Sequence, residues 1–209
     1  SEYIFKQLED GKLAELYAKI ELPRRDVLKG MSKTGITLDV EYLGELSKIF
    51  HKELSALEKD IHKHAGVEFN INSPKQLGEI LFDTLGLGGT KLKRTATGQR
   101  TTKESELEKI KDEHPIIESI LRYRELQKLL STYVDNLPHM VGEDGRVHTT
   151  FLQCGAVTGR MATTNPSVQN IPVKTEEGKR IRRAFVAASG MEIVSIDYSQ
   201  IELRLAAML

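Results

Sequence analysis

Tryptophan is missing and cysteine occurs once, at Cys154, in a chain of 209 residues. A single thiol excludes an internal disulfide framework and suits a reducing compartment. No stretch approaches the ~18 consecutive apolar residues of a membrane span, and Ser1-Glu2-Tyr3 lacks the basic and apolar pattern of a leader, so no membrane partner is expected. Neither charge prevails: 30 Lys and Arg balance 30 Asp and Glu, so net charge alone does not point to a polyanion. Internal repeats, low-complexity tracts, a metal-spaced Cys/His set and a glycine-rich phosphate loop are also wanting, and the six histidines are scattered as surface or packing residues are. With 39% hydrophobic and 29% charged residues, the chain reads as a soluble globular protein able to bury a core, as one domain or two small ones.

The charges that cancel in sum are separated along the chain. Five basic residues (Lys91, Lys93, Arg94, Arg100, Lys103) stand between Lys91 and Lys103 without an acid, and six acids against two lysines follow from Glu104 to Glu118. A second basic cluster, Lys174, Lys179, Arg180, Arg182 and Arg183, holds only Glu176 and Glu177 among it. Each is either a solvated face or a contact for nucleic-acid phosphates.

Apolar spacing organises the first two thirds. Residues 1 to 20 have helical spacing with a break at Asp10-Gly11, Pro23 starts a second helical piece ending near Gly35, and Ile36 to Leu38 reads as extended. Asp39 suits an N-cap for a helix whose stripe is Leu43, Leu46, Phe50, Leu54, Leu57 and Ile61. A matching stripe, Ile116, Ile120, Tyr123, Leu126, Leu130, Tyr133 and Leu137, follows the breaker His114-Pro115, and two such helices pack most simply as an antiparallel pair. Between them, Ser73-Pro74-Lys75-Gln76 and Thr101-x-x-Glu104 predict capped short helices flanking an exposed basic loop, Lys91 to Arg100. The first basic cluster is thereby expected at the tip of a protruding arm.

After Pro138 the pattern becomes β-rich. Val147, Thr149, Thr150 and Phe151 predict one strand over Arg146 to Gln153. Residues 155 to 175 are rich in Gly, Thr, Asn and Pro and too long for an ordinary connector, and their donors Arg160, Gln169 and Asn170 are side chains suited to base edges and phosphates. Met191, Ile193, Val194 and Ile196 then predict a short buried strand, with Ile201, Leu205, Met208 and Leu209 at helical spacing beyond it. Asp197 sits at that joint, where it either presents a carboxylate to Mg²⁺ or merely ends the strand, with Ser199 and Glu202 forming a capping box.

The run Asp197-Tyr198-Ser199-Gln200-Ile201-Glu202-Leu203-Arg204 resembles motif A, the first catalytic motif of family A DNA polymerases of the bacterial DNA polymerase I type. Upstream, Thr158-Gly159-Arg160-Met161, Gln169-Asn170-Ile171-Pro172 and Gly178-Lys179-Arg180-Ile181-Arg182-Arg183-Ala184-Phe185 stand in that family's order. Ile20-Glu21-Leu22-Pro23, Val27-Leu28, Gly35 and Asp39 resemble the entry to its thumb, and Tyr123-Arg124-Glu125-Leu126, Lys128 and Ser131-Thr132-Tyr133 resemble the helix returning from it. Nearly the whole chain is covered.

The resemblance implies an α+β fold: a helical lead-in over 1–34 packing on the palm, a mostly helical thumb over 35–137, and over 138–209 the first part of an antiparallel palm sheet ending in motif A. It implies DNA-directed DNA polymerase activity in replication and repair, on primer-template DNA and dNTP, in a bacterial cytoplasm in association with the nucleoid, or alternatively in an organelle. Catalysis would use two Mg²⁺ ions, with Asp197 as catalytic ligand and the Tyr198 carbonyl as a further oxygen. Tyr198, Ser199, Gln200, Ile201, Glu202 and Lys174 would line the nucleotide, with Glu202 excluding a 2′-hydroxyl. Arg160, Gln169 and Asn170 would follow the minor groove, while Arg124, Lys128, Lys91, Lys93, Arg94, Arg100, Thr101, Thr102 and Lys103 would contact the duplex. The family more often has Asn at Ser167, Arg at Lys174 and Ala-His at Ala207-Met208. Its fingers helix and second catalytic carboxylate belong to a C-terminal fingers and palm half, so these 209 residues are expected to be inactive alone and leave no room for a proofreading exonuclease. The alternative is a non-catalytic DNA-binding module derived from a polymerase thumb and palm.

Overall fold

The structure, a computed structural model, describes residues 2–89 and 100–209. It is an α+β fold built on two long helices. The first, α4, is preceded by α1 (Glu2–Asp10), α2 (Ala14–Leu16), a π-helical turn (Tyr17–Glu21), α3 (Leu22–Thr34) and the strand β1 (Ile36–Leu38). The break after α1 falls at Gly11 to Leu13; Pro23 does not start a helix but stands directly behind the π-helical turn in a helical run continuous from Ala14 to Thr34. Gly35 ends α3 with φ +62°, and a Cβ there would lie 2.8 Å from the Val147 carbonyl, so both its conformation and its neighbour require glycine.

Helix α4 (Val40–Ala65) begins where the Asp39 carboxylate accepts the Tyr42 N–H at 2.9 Å, and it closes on Gly66 in the left-handed region. Its counterpart α7 (Pro115–Leu129) starts with proline and is capped by the His114 ring, which accepts the Ile116 N–H. A π-helical turn (Leu130–Val134) continues it. The cross-links run in opposite order along the two helices: Ser119 to Asp60 (2.7 Å), Arg122 to Glu53 (3.1 Å), and Ser47 to Asp135 (2.7 Å). The pair is therefore antiparallel, as the two stripes predict.

Two apolar cores lie at its two ends. At one end Ile61, Ile116, Ile117, Ile120 and Tyr123 are buried against Leu77, Leu81 and Phe82 of α5 (Pro74–Gly78) and the π-helical turn after it (Glu79–Thr84), and against Leu107 of α6 (Glu104–Leu107). At the other end Leu43, Phe50, Leu126, Leu130 and Tyr133 are buried with Leu38, Val147, Ile171, Ile181 and Ala184. The base of the helix pair thus shares one core with the strands and helix that follow residue 138. Leu54 and Leu57 sit partly buried between the two cores.

The predicted strand over Arg146 to Gln153 is instead two. β2 (Arg146–Val147) joins β1 and β5 (Phe185–Val186) in a three-stranded antiparallel sheet, with Ile36 opposite Val147 and Leu38 opposite Phe185. β3 (Thr150–Leu152) pairs with β4 (Ala162–Thr164). The chain switches sheets at His148-Thr149 because both residues are held elsewhere: the His148 ring bonds the Ser32 carbonyl at 2.9 Å, and the Thr149 hydroxyl donates to the carbonyls of Thr164 and Pro166.

Helix α8 (Glu176–Arg182), capped by Thr175, packs so closely on the preceding segment that a Cβ on Gly178 would meet the Pro172 carbonyl at 2.2 Å. Residues 187–200 then run without regular structure to α9 (Ile201–Ala206).

Three local expectations are corrected. Met191 to Ile196 forms no strand, and Met191, Val194 and Ile196 are 70, 75 and 90% exposed; a β-branched run needs a hydrogen-bonded neighbour and a cover, and no described segment supplies either. Ser199 does not cap α9; Gln200, in the left-handed region, precedes it without a side-chain bond. Thr101 does not cap α6 either: the N-cap position is Lys103, two residues later, and the Thr101 hydroxyl accepts the N–H of that residue. The Ser73 box is half made: Ser73 accepts the Gln76 N–H, but Gln76 turns to the Asn70 N–H. Among the described residues no helix is long and apolar enough to cross a membrane.

Candidate nucleic-acid interface

Most of the described sequence-predicted contact residues fall in three places, while Arg100, Thr101, Thr102 and Lys103 stand just ahead of α6. The first is an open groove of about 1300 Å³ between the exposed side of α7 and residues 167–172. Arg124, Lys128 and Thr132 line it from the long helix and its continuation, Ser167 and Asn170 from the later segment, and Glu104, Glu108 and Asp112 from residues 104–112. Helical spacing sets the first of these, because Arg124 and Lys128 are one turn apart on the side of α7 opposite its buried stripe. The Asn170 amide donates to Ser167 at 3.0 Å, and Gln169 and Asn170 are exposed.

Within the groove the cations differ. Lys128 is exposed, whereas the Arg124 guanidinium bonds the carbonyl and hydroxyl of buried Thr102, and burial pushes its pKa down. Thr102, expected as a contact for duplex, is thus the internal partner of another predicted contact. Arg100 pairs with Asp83 at 2.8 Å and stacks over the Phe82 ring at 4.8 Å, Thr101 is half-buried, and Lys103 is exposed. Lys91, Lys93 and Arg94 lie outside the described residues.

Arg122 lines the same groove and has no counterpart in the sequence reading. Its guanidinium bonds Glu177 closely, Glu53 at 3.1 Å and Glu125 at 3.4 Å, tying α7 to α4 and to α8. The bond from Arg122 holds the buried Glu177 carboxyl below its usual range, and the Glu177 and Glu53 carboxylates hold Arg122 firmly cationic. These partners lie 55 and 69 positions from Arg122, so no local pattern announces them.

The second place is the loop 153–161 between β3 and β4, which carries Thr158-Gly159-Arg160 outward; Arg160 is exposed. The third is the closing segment. Asp197, Tyr198, Ser199, Gln200, Ile201 and Glu202 are contiguous and exposed, with Lys174 exposed on a separate stretch ahead of α8. Among the described residues no ion pair engages Asp197 or Glu202, and no group of three or more His, Cys, Asp or Glu is placed to hold a metal ion. The Asp197 carboxylate and the adjacent Tyr198 carbonyl are nevertheless hard oxygen donors of the kind Mg²⁺ takes, and Mg²⁺ commonly accepts one or two protein oxygens while water and phosphate fill the rest. The residues present fit one edge of such a site.

Relatives cover almost all of the chain. It is 48% identical to the thermostable DNA polymerase I of Thermus aquaticus over 201 residues, which is 96% of this chain and 24% of that protein. It is 48% identical to DNA polymerase I of Chloroflexus aurantiacus over 99% of its own length and 22% of the relative's. The chain therefore spans about a quarter of the length of these relatives. A solved structure, the POL domain of Pol1 from M. smegmatis in complex with DNA primer-template and dNTP, superposes with a TM-score of 0.85 at 36% identity, covering 97% of this chain and 36% of that one. The family model for DNA polymerase family A matches residues 40–209, and the chain belongs to that family.

Proposed function

We propose that this chain is the thumb, over 35–137, and the first part of the palm, over 138–209, of a template-directed DNA polymerase that adds deoxynucleotides to a primer 3′-hydroxyl. The observation that carries the reading is the exposed Asp197–Glu202 segment in a chain that belongs to family A, with hard oxygen donors at Asp197 and Tyr198 and, among the described residues, no competing ion pair. The solved relative bound to primer-template and dNTP supports both ligands. Residues 1–34 serve as a helical lead-in on the palm.

Asp197 and the Tyr198 carbonyl would hold Mg²⁺, two ions serving the complete site. Bound there, Mg²⁺ would supply positive charge to offset the triphosphate and to lower the pKa of the primer hydroxyl. The other roles belong to this chain's own side chains. Glu202 packs against the incoming sugar, leaving no space for a 2′-hydroxyl, in a nucleotide site shared with Ser199, Gln200 and Ile201. Lys174 offsets charge on the triphosphate. Arg160 donates to the minor-groove acceptors, purine N3 and pyrimidine O2, which every base pair presents, so it tests pair geometry without reading sequence. Gln169 and Asn170 continue that track, and Lys128 with the basic residues from Lys91 to Lys103 meets backbone phosphates.

Polymerisation requires the second carboxylate of a C-terminal fingers and palm half, so the 209-residue chain alone binds primer-template without extending it. Primer extension with Mg²⁺ and dNTPs tests this. No product from the chain alone, product on adding a fingers and palm half, and loss of that product in Asp197→Ala are the expected results. Extension by the chain alone overturns the incompleteness, and full activity in Asp197→Ala overturns the site.

A further inference from the structure

The loop that carries Arg160 is held at one built point. Residues 153–161 join β3 to β4, whose register sets Leu152 opposite Ala162. Among the described residues, Gln153 is the member of this loop whose side chain is hydrogen-bonded to the rest of the fold. Its Nε2 donates to the Glu21 main-chain carbonyl at 2.9 Å and to the Glu21 carboxylate at 3.0 Å. The acceptor is itself fixed, because Arg24 donates to both Glu21 carboxylate oxygens at 2.6 and 2.5 Å. Glu21 closes the π-helical turn ahead of α3, so one amide joins the lead-in helices to the foot of the loop across 132 positions of sequence.

A second observation shows that the neck of the loop is tightly fitted. A Cβ on Gly155 would stand 2.5 Å from the Ala162 side chain and 3.3 Å from that of Leu152. The two limbs therefore touch just above the Gln153 anchor, and beyond them residues 156–160 are exposed. An exposed arginine loses rotamer and loop freedom when it engages a ligand, and the loop's share of that loss falls when its foot is already fixed.

We infer that Gln153 is a positioning residue for Arg160: by clamping the loop to Glu21 it aims the guanidinium at the duplex. This rests on the reading of Arg160 as a duplex contact given under Proposed function.

The test is a double-variant cycle on the whole 209-residue chain, read as affinity for a fluorescently labelled primer-template by anisotropy. Gln153→Leu keeps the bulk and removes the amide donor; Gln153→Asn withdraws it by one methylene and serves if the first variant does not fold, as judged by circular dichroism. Loss of a hydrogen bond of this kind predicts an affinity about two- to tenfold weaker in the parent. In an Arg160→Ala background the same change at Gln153 is expected to do almost nothing, because the side chain it aims is gone. A merely structural role would weaken both backgrounds equally, and that outcome, or no loss in the parent, overturns the inference. If Arg160→Ala itself leaves affinity unchanged, the duplex contact at this loop fails and the inference falls with it, a result distinct from equal losses in the two backgrounds.

Discussion

Replacing Arg122 with methionine would expose how much the base of the helix pair depends on one guanidinium. Arg122 is bonded to Glu177, Glu53 and Glu125, and Glu177 is buried with 8% exposure. Removing one partner of a buried ion pair costs roughly 3–5 kcal/mol, because the remaining charge is left without compensation. The Arg122 side chain retains 32% exposure, so solvent screens part of that interaction, and about 2 kcal/mol of destabilisation is expected. Methionine preserves most of the apolar stem, which separates the charge from the packing.

The pH dependence has a definite sign. In the parent the Glu177 pKa is depressed by Arg122, so its contribution is present above its ordinary value of 4.5 and is lost as pH falls through the lower folded value. In Arg122→Met burial favours the protonated carboxyl, so the deficit is largest at pH 7 and narrows at pH 4. Urea unfolding followed by circular dichroism at the two pH values measures it. Adding Glu177→Gln to Arg122→Met should recover part of the loss by removing the stranded charge. A deficit under about 0.5 kcal/mol at pH 7, or a double variant no more stable than Arg122→Met alone, would refute this account of the network.

Three further perturbations reach other parts of the frame. Gly178→Ala drives a Cβ to 2.2 Å from the Pro172 carbonyl, and the shift of α8 that relieves it should cost about 1–3 kcal/mol by urea titration; a stability equal to the parent's would contradict the close approach. Asp39→Ala removes the acceptor for the Tyr42 N–H and should cost about 1 kcal/mol, whereas Asp39→Asn should restore most of it in the same assay. The His148 ring meets acceptors on both nitrogens, the Ser32 carbonyl at 2.9 Å and Asp144 at 3.1 Å, so only the imidazolium donates to both. Its pKa is raised, first by the Ser32 carbonyl and then by Asp144, and Asp144 is lowered by His148. The tie between α3 and β2 should therefore be complete below His148's ordinary 6.5 and weaken as pH rises through the raised value, which amide exchange at Gly35 and Val147 can follow; exchange that slows with pH after correction for its intrinsic rate would refute it.

The long elements were legible because their causes are local. The Leu43 to Ile61 and Ile116 to Leu137 stripes, the Asp39 cap and the proline that opens α7 each depend on residues within a turn or two, and the structure keeps all of them. Contacts across the chain left no such trace. Arg124 reads from sequence as a free cation on an outward helical face, yet it is spent largely on Thr102, 22 positions away. Arg122, one turn and a half from Lys128 on the same helix, meets three carboxylates, and only Glu125 lies within a helical turn of it. Gln153 gave no signal because its partner Glu21 belongs to another part of the chain. Among the predicted contacts, periodicity can say which side chains leave the helix, but not which of them the fold then captures.

Strands mark the same divide more sharply, because a strand exists only with a neighbour. Ile36–Leu38 is short and contains little that distinguishes it, yet it becomes the centre of the β2-β1-β5 sheet because Val147 and Phe185 arrive beside it. Met191 to Ile196 has the richer β-branched run and stays irregular and exposed, since among the described residues no strand pairs with it. β-propensity measures fitness for a half-covered pleated surface and says nothing of which edge supplies the hydrogen bonds. The exposed apolar side chains at Ile193, Val194 and Ile196 beside Asp197 follow from the same rule: where no described strand offers hydrogen bonds, a β-branched run is not drawn into a sheet.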